Sequence, residues 1–188
     1  MGKLILASGS KRRIELLHKL DIPFEVIVPD VDESVYENED PFDYVTRVSR
    51  DKAYSVFKCH SDCAVISADT IVFNGKILGK PKDREEAYQM IRSLSGKSHN
   101  VITGVTMIEK RSGEVHSFHV ITEVIFDTIP DDDILSYIQT DEPYDKAGGY
   151  AIQGTAGKFI RRINGCYYNV MGFPLNEIYR RMMTLNIS

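Results

Sequence analysis

The run Ala64-Val65-Ile66-Ser67-Ala68-Asp69-Thr70-Ile71-Val72-Phe73 constrains the fold more than any other stretch, because it carries one charge in ten residues. A near-continuous apolar strand is one covered on both faces, as in sheets flanked by helices. A second apolar run, Leu4-Ile5-Leu6-Ala7, leads through Ser8-Gly9-Ser10 into Lys11-Arg12-Arg13-Ile14-Glu15-Leu16-Leu17, which reads as strand, small-residue turn and helix. The spacing predicts a helix over 11–20, a strand over 24–28, an acidic loop over 30–40, a helix over 42–58 and the strand over 64–73. Asn74-Gly75 marks a tight hairpin turn with a return strand over 76–78. Asp83 with Glu86 forms a capping box ahead of a helix over 84–95. Strands over 99–109 and 114–126, a helix over 131–139 and a Gly-rich segment over 141–157 come next. Asn164-Gly165 suggests a second hairpin between strands 158–163 and 166–170, and Pro174 opens a last helix. Mixed βαβ units and hairpins point to one α/β domain over residues 1–188, with a mixed, partly antiparallel sheet.

The turn Ser8–Arg13 is electrostatically misplaced. Three cations sit where a helix N-terminus already carries partial positive charge. A bound anion would accept the free backbone N–H groups and neutralise the side chains, so the turn is predicted to bind phosphate. Helical spacing sets Arg12 beside Leu16 and Leu20, and Arg13 beside Leu17, so both border the core-facing stripe. Asp69 is a carboxylate inside the most apolar strand, where an unpaired charge is costly. Hard divalent cations take carboxylate oxygens together with substrate phosphates. Glu33, in a loop with six acidic residues over 30–40, is a candidate to share such a cation with Asp69, although a solvated loop charge is the simpler reading of the sequence, and Asp32 competes for that place. Lys52 is polar on an otherwise apolar helical stripe, which suggests inward placement, although a snorkelling lysine gives the same pattern. Lys80, in Gly79-Lys80-Pro81, is folded back by the hairpin towards the strand of Asp69 and suits phosphate, although a plain surface lysine gives the same pattern. The segment 145–157 holds four glycines, which permit close backbone approach to a ligand, and Gln153, which can pair with a base edge.

Other chemistry is excluded. The net charge of −4 gives no global basic character, which argues against nucleic acid as a partner. No apolar run reaches a membrane span. Cys59, Cys63 and Cys166 are an odd number, and Cys59-His60-Ser61-Asp62-Cys63 offers too few ligands for zinc. With no signal peptide, a reduced cytoplasmic setting is expected. No G-x-x-x-x-G-K-[ST] or G-x-G-x-x-G element is present, and the five histidines stand in no nucleophile-elbow context.

The elements Ser8-x-Ser10-x-Arg12-Arg13-x-x-Leu16-Leu17, Ala68-Asp69-Thr70, Gly79-Lys80-Pro81, Leu94-Ser95-Gly96 and Asp145-Lys146-Ala147-Gly148-Gly149-Tyr150 with Gln153-Gly154 resemble the Maf-like nucleoside triphosphate pyrophosphatases over residues 4–176. Lys11 departs from the proline usual in that family, which loosens the turn without removing a contact. The resemblance implies an inosine-triphosphatase-like α/β fold, an elongated mixed sheet flanked by helices in two lobes around a cleft. It implies hydrolysis of a nucleoside triphosphate to the monophosphate and pyrophosphate with Mg²⁺ or Mn²⁺, dTTP and UTP being the substrates of the branch that Gln153 resembles. Asp69 carries over as proton acceptor, and Arg12, Thr70 and Gln153 as specificity positions. Ser8, Arg13, Lys52 and Lys80 complete the substrate-binding set, with Glu33 and Asp69 holding the metal. A 7-methyl-GTP pyrophosphatase, or a non-catalytic regulator of cell division that binds a nucleotide or nucleic acid, stays open, as does a homodimer.

Overall fold

The computed structural model describes residues 3–185 and 187. In chain order the elements are β1 Leu4–Ala7, α1 Lys11–His18, β2 Phe24–Ile27, α2 Pro41–Phe57, β3 Ala64–Phe73, β4 Ile77–Leu78, α3 Arg84–Leu94, β5 Ser98–Ile108, β6 Val115–Phe126, α4 Asp131–Tyr137, β7 Ile160–Asn164, α5 Tyr167–Val170 and α6 Leu175–Thr184. The strands form a seven-stranded sheet of order β2-β1-β3-β5-β6-β7, with β4 on β3. β1 runs parallel to β2 and β3, whereas β4 is antiparallel to β3 and β7 to β6, so the sheet is mixed as expected. Among the described residues no helix is long and apolar enough to cross a membrane.

The chain divides into two compact units. Met1–Asp69, Thr103–Val120 and Gly172–Ser188 form the first; Thr70–Ile102 and Ile121–Met171 form the second. In the first unit β1 is wholly buried, and Ala53 and Val56 of α2 join Ile5, Ala7, Val65 and Ile108 in one core. A Cβ on Gly104 would lie 2.3 Å from the Val45 carbonyl oxygen, so the α2 backbone rests directly on β5. Asp40 caps α2 by accepting from the Phe42 N–H, with Pro41 at the first helical position. α1 stops at His18, short of the expected 20, because the next residues close 3-10-type turns and Asp21 enters the left-handed region at φ 54°.

The second unit gathers Val72, Leu78, Ile91, Leu94, Phe126, Tyr150 and Phe159 around its own core. His99 is buried there, 4% exposed, edge-on to Phe126 and Tyr150. Its Nε2 lies 2.7 Å from the Tyr150 hydroxyl, and its Nδ1 has no partner among the described residues. Burial lowers its pKa to about 4. The capping box holds in altered form: Asp83 accepts from the Glu86 N–H, but the Glu86 carboxylate reaches back to the Lys82 N–H. The Asn74-Gly75 hairpin also forms, although the pairing Phe73↔Ile77 leaves Lys76 in the loop as well.

The second expected hairpin does not form. β7 pairs with β6, and residues 167–170 coil as α5 instead of returning as a strand. The physical reason is polar bonding to residues distant in the chain. Gly165 turns the chain at φ 134°, the Cys166 N–H donates to Thr122 Oγ1, and the buried Asn169 amide donates to the Val101 carbonyl and to Thr122 Oγ1. Asparagine is a poor strand residue, and a helical turn lets its amide satisfy these acceptors.

Candidate active site

Strand β3 delivers Asp69 and helix α2 delivers Lys52 to the same buried point. Both residues are 6% exposed, and Lys52 Nζ donates to Asp69 Oδ1 at 2.7 Å. The same ammonium lies 3.0 Å from Glu33 Oε2, so one cation holds two carboxylates. Lys52 therefore points inward and does not snorkel. Burying a lone ammonium or carboxylate is costly, and each is retained here by the other. Glu33 itself is half exposed at its side chain. Its loop is fixed by two side chains from α2: Tyr44 donates its hydroxyl to the Glu33 carbonyl at 2.8 Å, and Arg47 donates to the Ser34 carbonyl at 2.8 Å. Arg47 also pairs with Glu39 at 2.6 Å and stacks on the Tyr36 ring. Burial raises the Tyr44 pKa, and the charges of Asp69 and Glu33 push it further, so the hydroxyl stays a donor. Asp32, the rival to Glu33, accepts from the Ser34 N–H at 2.9 Å and closes a local turn instead.

The opening turn keeps its misfit. Ser10 occupies the N-cap position of α1 without a side-chain cap, and the first turn contains no acid. Ser8 is buried and accepts from the Ser10 N–H at 3.2 Å. The two arginines divide. Arg13 donates to the Ala68 carbonyl at 2.7 Å and the Gly172 carbonyl at 2.9 Å, and approaches Ser8 Oγ at 3.5 Å. It ties the residue before Asp69 to the turn. Burial lowers the Arg13 pKa; Asp69 opposes that shift and Arg12 adds to it. Arg12 is half-buried and makes no hydrogen bond or ion pair among the described residues.

Within the second unit, the Gly148 N–H donates to the Gly79 carbonyl at 2.9 Å, which sets the strand tail before Lys80 against the Gly-rich segment. Gly148 has φ 68°, and a Cβ there would lie 2.7 Å from Val72 Cγ2, so no larger residue fits. Lys80 and Gln153 are exposed, and neither makes a hydrogen bond or ion pair among the described residues. Thr70 is partly buried at the residue after Asp69. The geometry thus brings together Ser8, Arg12, Arg13, Glu33, Lys52 and Asp69 in the first unit, and holds Thr70, Lys80 and Gln153 in the second. Tyr44 and Arg47, which fix the Glu33 loop, have no signature in the sequence beyond their helical spacing. A further trio, Glu109, Glu114 and His116, lies at the β5–β6 connection, with His116 Nε2 3.2 Å and 3.6 Å from the two carboxylates.

A family model described as "Maf-like protein" matches residues 3–185. The chain belongs to the Maf-like family. A relative in Clostridium novyi, named dTTP/UTP pyrophosphatase, is 48% identical over 95% of this chain and 95% of its own. One in Escherichia coli K12 with the same name is 46% identical over 99% of this chain and 94% of its own. Among solved structures, the Staphylococcus aureus Ham1 protein matches 97% of this chain and 98% of its own with a TM-score of 0.52 at 15% identity, a likeness of fold. This agrees with the inosine-triphosphatase-like α/β fold expected from the family motifs.

Proposed function

We propose that this Maf-like chain, acting as one domain, hydrolyses dTTP and UTP to the nucleoside monophosphate and pyrophosphate with Mg²⁺ or Mn²⁺. The observation that carries the reading is the buried Lys52 ammonium holding both Asp69 and Glu33, and the names of the relatives support it. The donor set suits a hard divalent cation, because two carboxylates face the same point. Asp69 and Glu33 would hold it, and when bound it acidifies water and draws charge from phosphate oxygens. Water attacks the α-phosphorus, the bond to the bridging oxygen breaks, and pyrophosphate leaves. Asp69 takes the proton of that water, and Lys52 fixes the orientation of the carboxylate that receives it. The uncapped N–H groups of α1, with Ser8 and Arg12, receive phosphate oxygens and offset their charge. Arg13 holds the turn and the strand end in register. Lys80 neutralises the departing pyrophosphate, since phosphoryl transfer depends mainly on positioning and electrostatics. Gln153, with Thr70, reads the pyrimidine edge. The three cysteines are free thiols, consistent with work in the cytoplasm.

The test is pyrophosphate release by the purified protein from a nucleotide panel with Mg²⁺ or Mn²⁺. Release from dTTP and UTP ahead of GTP is expected; none from any triphosphate overturns the reading. Asp69→Asn should lose about 100-fold or more in rate, the usual share of a general base, while its melting transition persists.

A further inference from the structure

Gln153 sits at the centre of a turn closed by the Gly154 N–H donating to the Ala151 carbonyl at 3.1 Å. The next three residues lie on one carboxylate. Glu142 Oε2 accepts from the Thr155 N–H at 2.8 Å and Oε1 from the Ala156 N–H at 3.2 Å. The Tyr137 hydroxyl, from the end of α4, donates to the same Oε1 at 3.1 Å. A Cβ on Gly154 would come within 2.3 Å of Glu142 Oε1, so a larger residue here would push the carboxylate off its seat, although the backbone angles are extended and open to any residue. Burial alone would raise the Glu142 pKa, but the N–H groups of Thr155 and Ala156 and the hydroxyls of Thr155 and Tyr137 outweigh it and hold the group below the usual carboxylate range. Lys146 adds a bond from its Nζ to the Glu142 carbonyl at 2.9 Å, which anchors the residue at its backbone too. Within this turn the Gln153 side chain is exposed and makes no hydrogen bond among the described residues.

We infer that Glu142 is a positioning residue for substrate selection: its carboxylate clamps the Gly154–Ala156 backbone and so fixes the direction in which Gln153 meets a base. The inference rests on the reading of Gln153 as base-contacting. An exposed glutamine on a loose turn would select weakly, because ordering it costs part of what the contact provides. A charge-assisted clamp removes that cost in advance. Glu142 does not touch the base; it acts through the backbone of its neighbours.

The experiment compares Glu142→Gln, Gln153→Ala and the double variant on dTTP, UTP and GTP. The amide of Glu142→Gln keeps one acceptor and turns an NH₂ towards the other backbone N–H. The expected result is a rise in KM for dTTP and UTP of about tenfold, the scale of a lost charged hydrogen bond, with kcat changed far less and GTP least affected. In the Gln153→Ala background the same substitution should leave the dTTP-to-GTP ratio where Gln153→Ala alone put it. A uniform fall on all three nucleotides, or an equal shift in ratio in both backgrounds, overturns the inference. Amide hydrogen exchange at Thr155 and Ala156 supplies an arm that needs no turnover. It should quicken in Glu142→Gln, and unchanged exchange overturns the clamp by itself. Pyrophosphate release by the unaltered protein, in the same assay, separately tests the reading on which the inference rests.

Discussion

Acidification from pH 7 to pH 5 should remove about 2 kcal/mol of folding stability through His99 alone. The ring is 4% exposed, its Nε2 faces the Tyr150 hydroxyl, and its Nδ1 has no partner among the described residues. A protonated ring would therefore bury a second N–H without an acceptor, which is why burial takes the pKa down to about 4. An unfolded histidine titrates near 6.5. Above that value both states are neutral and the group contributes nothing to the pH dependence. Between about 6.5 and 4 the unfolded chain binds the proton and the folded chain does not, so stability falls as pH falls. The two pKa values give a loss of about 2 kcal/mol at pH 5 and about 3 kcal/mol at pH 4, after which the curve flattens. The control is His99→Gln, whose amide can still meet the Tyr150 hydroxyl but does not titrate. Urea unfolding of both proteins at half-unit steps should give stabilities that differ by a constant above pH 7. The gap should shift by about 2 kcal/mol on reaching pH 5, with the unaltered protein losing more. Curves that remain parallel to within about 0.5 kcal/mol, close to the extrapolation error, would refute the argument.

Lys52→Met leaves the Asp69 carboxylate buried without its partner, so it should cost about 3 kcal/mol or more by thermal or urea unfolding; adding Asp69→Asn should recover most of that loss. Gly104→Ala drives a methyl into the Val45 carbonyl of α2, at 2.3 Å for an unrelaxed backbone. It should destabilise by about 1–3 kcal/mol and lower the melting temperature. Chelation of divalent cations should stop pyrophosphate release, and Mg²⁺ or Mn²⁺ should restore it without any change in the far-ultraviolet circular dichroism.

Much of the fold is legible in the sequence because its signals are local. The near-continuous apolar run of β3 and the capping box before α3 declare themselves by pattern. Lys52 is legible as an anomaly on an apolar stripe, but its two carboxylate partners come from residues 33 and 69 and appear only when α2 lies on the sheet. Asn164-Gly165 is a sound turn signal, and the turn is real. Residues 167–170 depart from the expected return strand because Thr122 and Val101, which draw Asn169 into a helical turn, are more than forty residues away. The roles of Arg13 and Glu142 are hidden for a related reason: their partners are backbone groups, and backbone groups leave no mark in a sequence. For Glu142 the one trace is a glycine at 154, which reads equally as a flexible turn.

The link from Arg13 to the Gly172 carbonyl spans 159 residues of chain. It belongs to a unit assembled from three separated stretches, the last beginning at Gly172. On a ribosome adding about 5–20 residues per second, Arg13 emerges about 8–30 s before the group that anchors it. Throughout that interval the turn around Ser8 lacks one of its tethers, and the second unit, both of whose stretches precede Gly172, is already synthesised. A nascent chain of this protein thus carries Arg12 and Arg13 early but completes the Arg13 anchor late. The Arg13–Gly172 bond closes only once the stretch leading into α6 has been delivered, long after the Ala68 carbonyl, another backbone partner of Arg13, has been made.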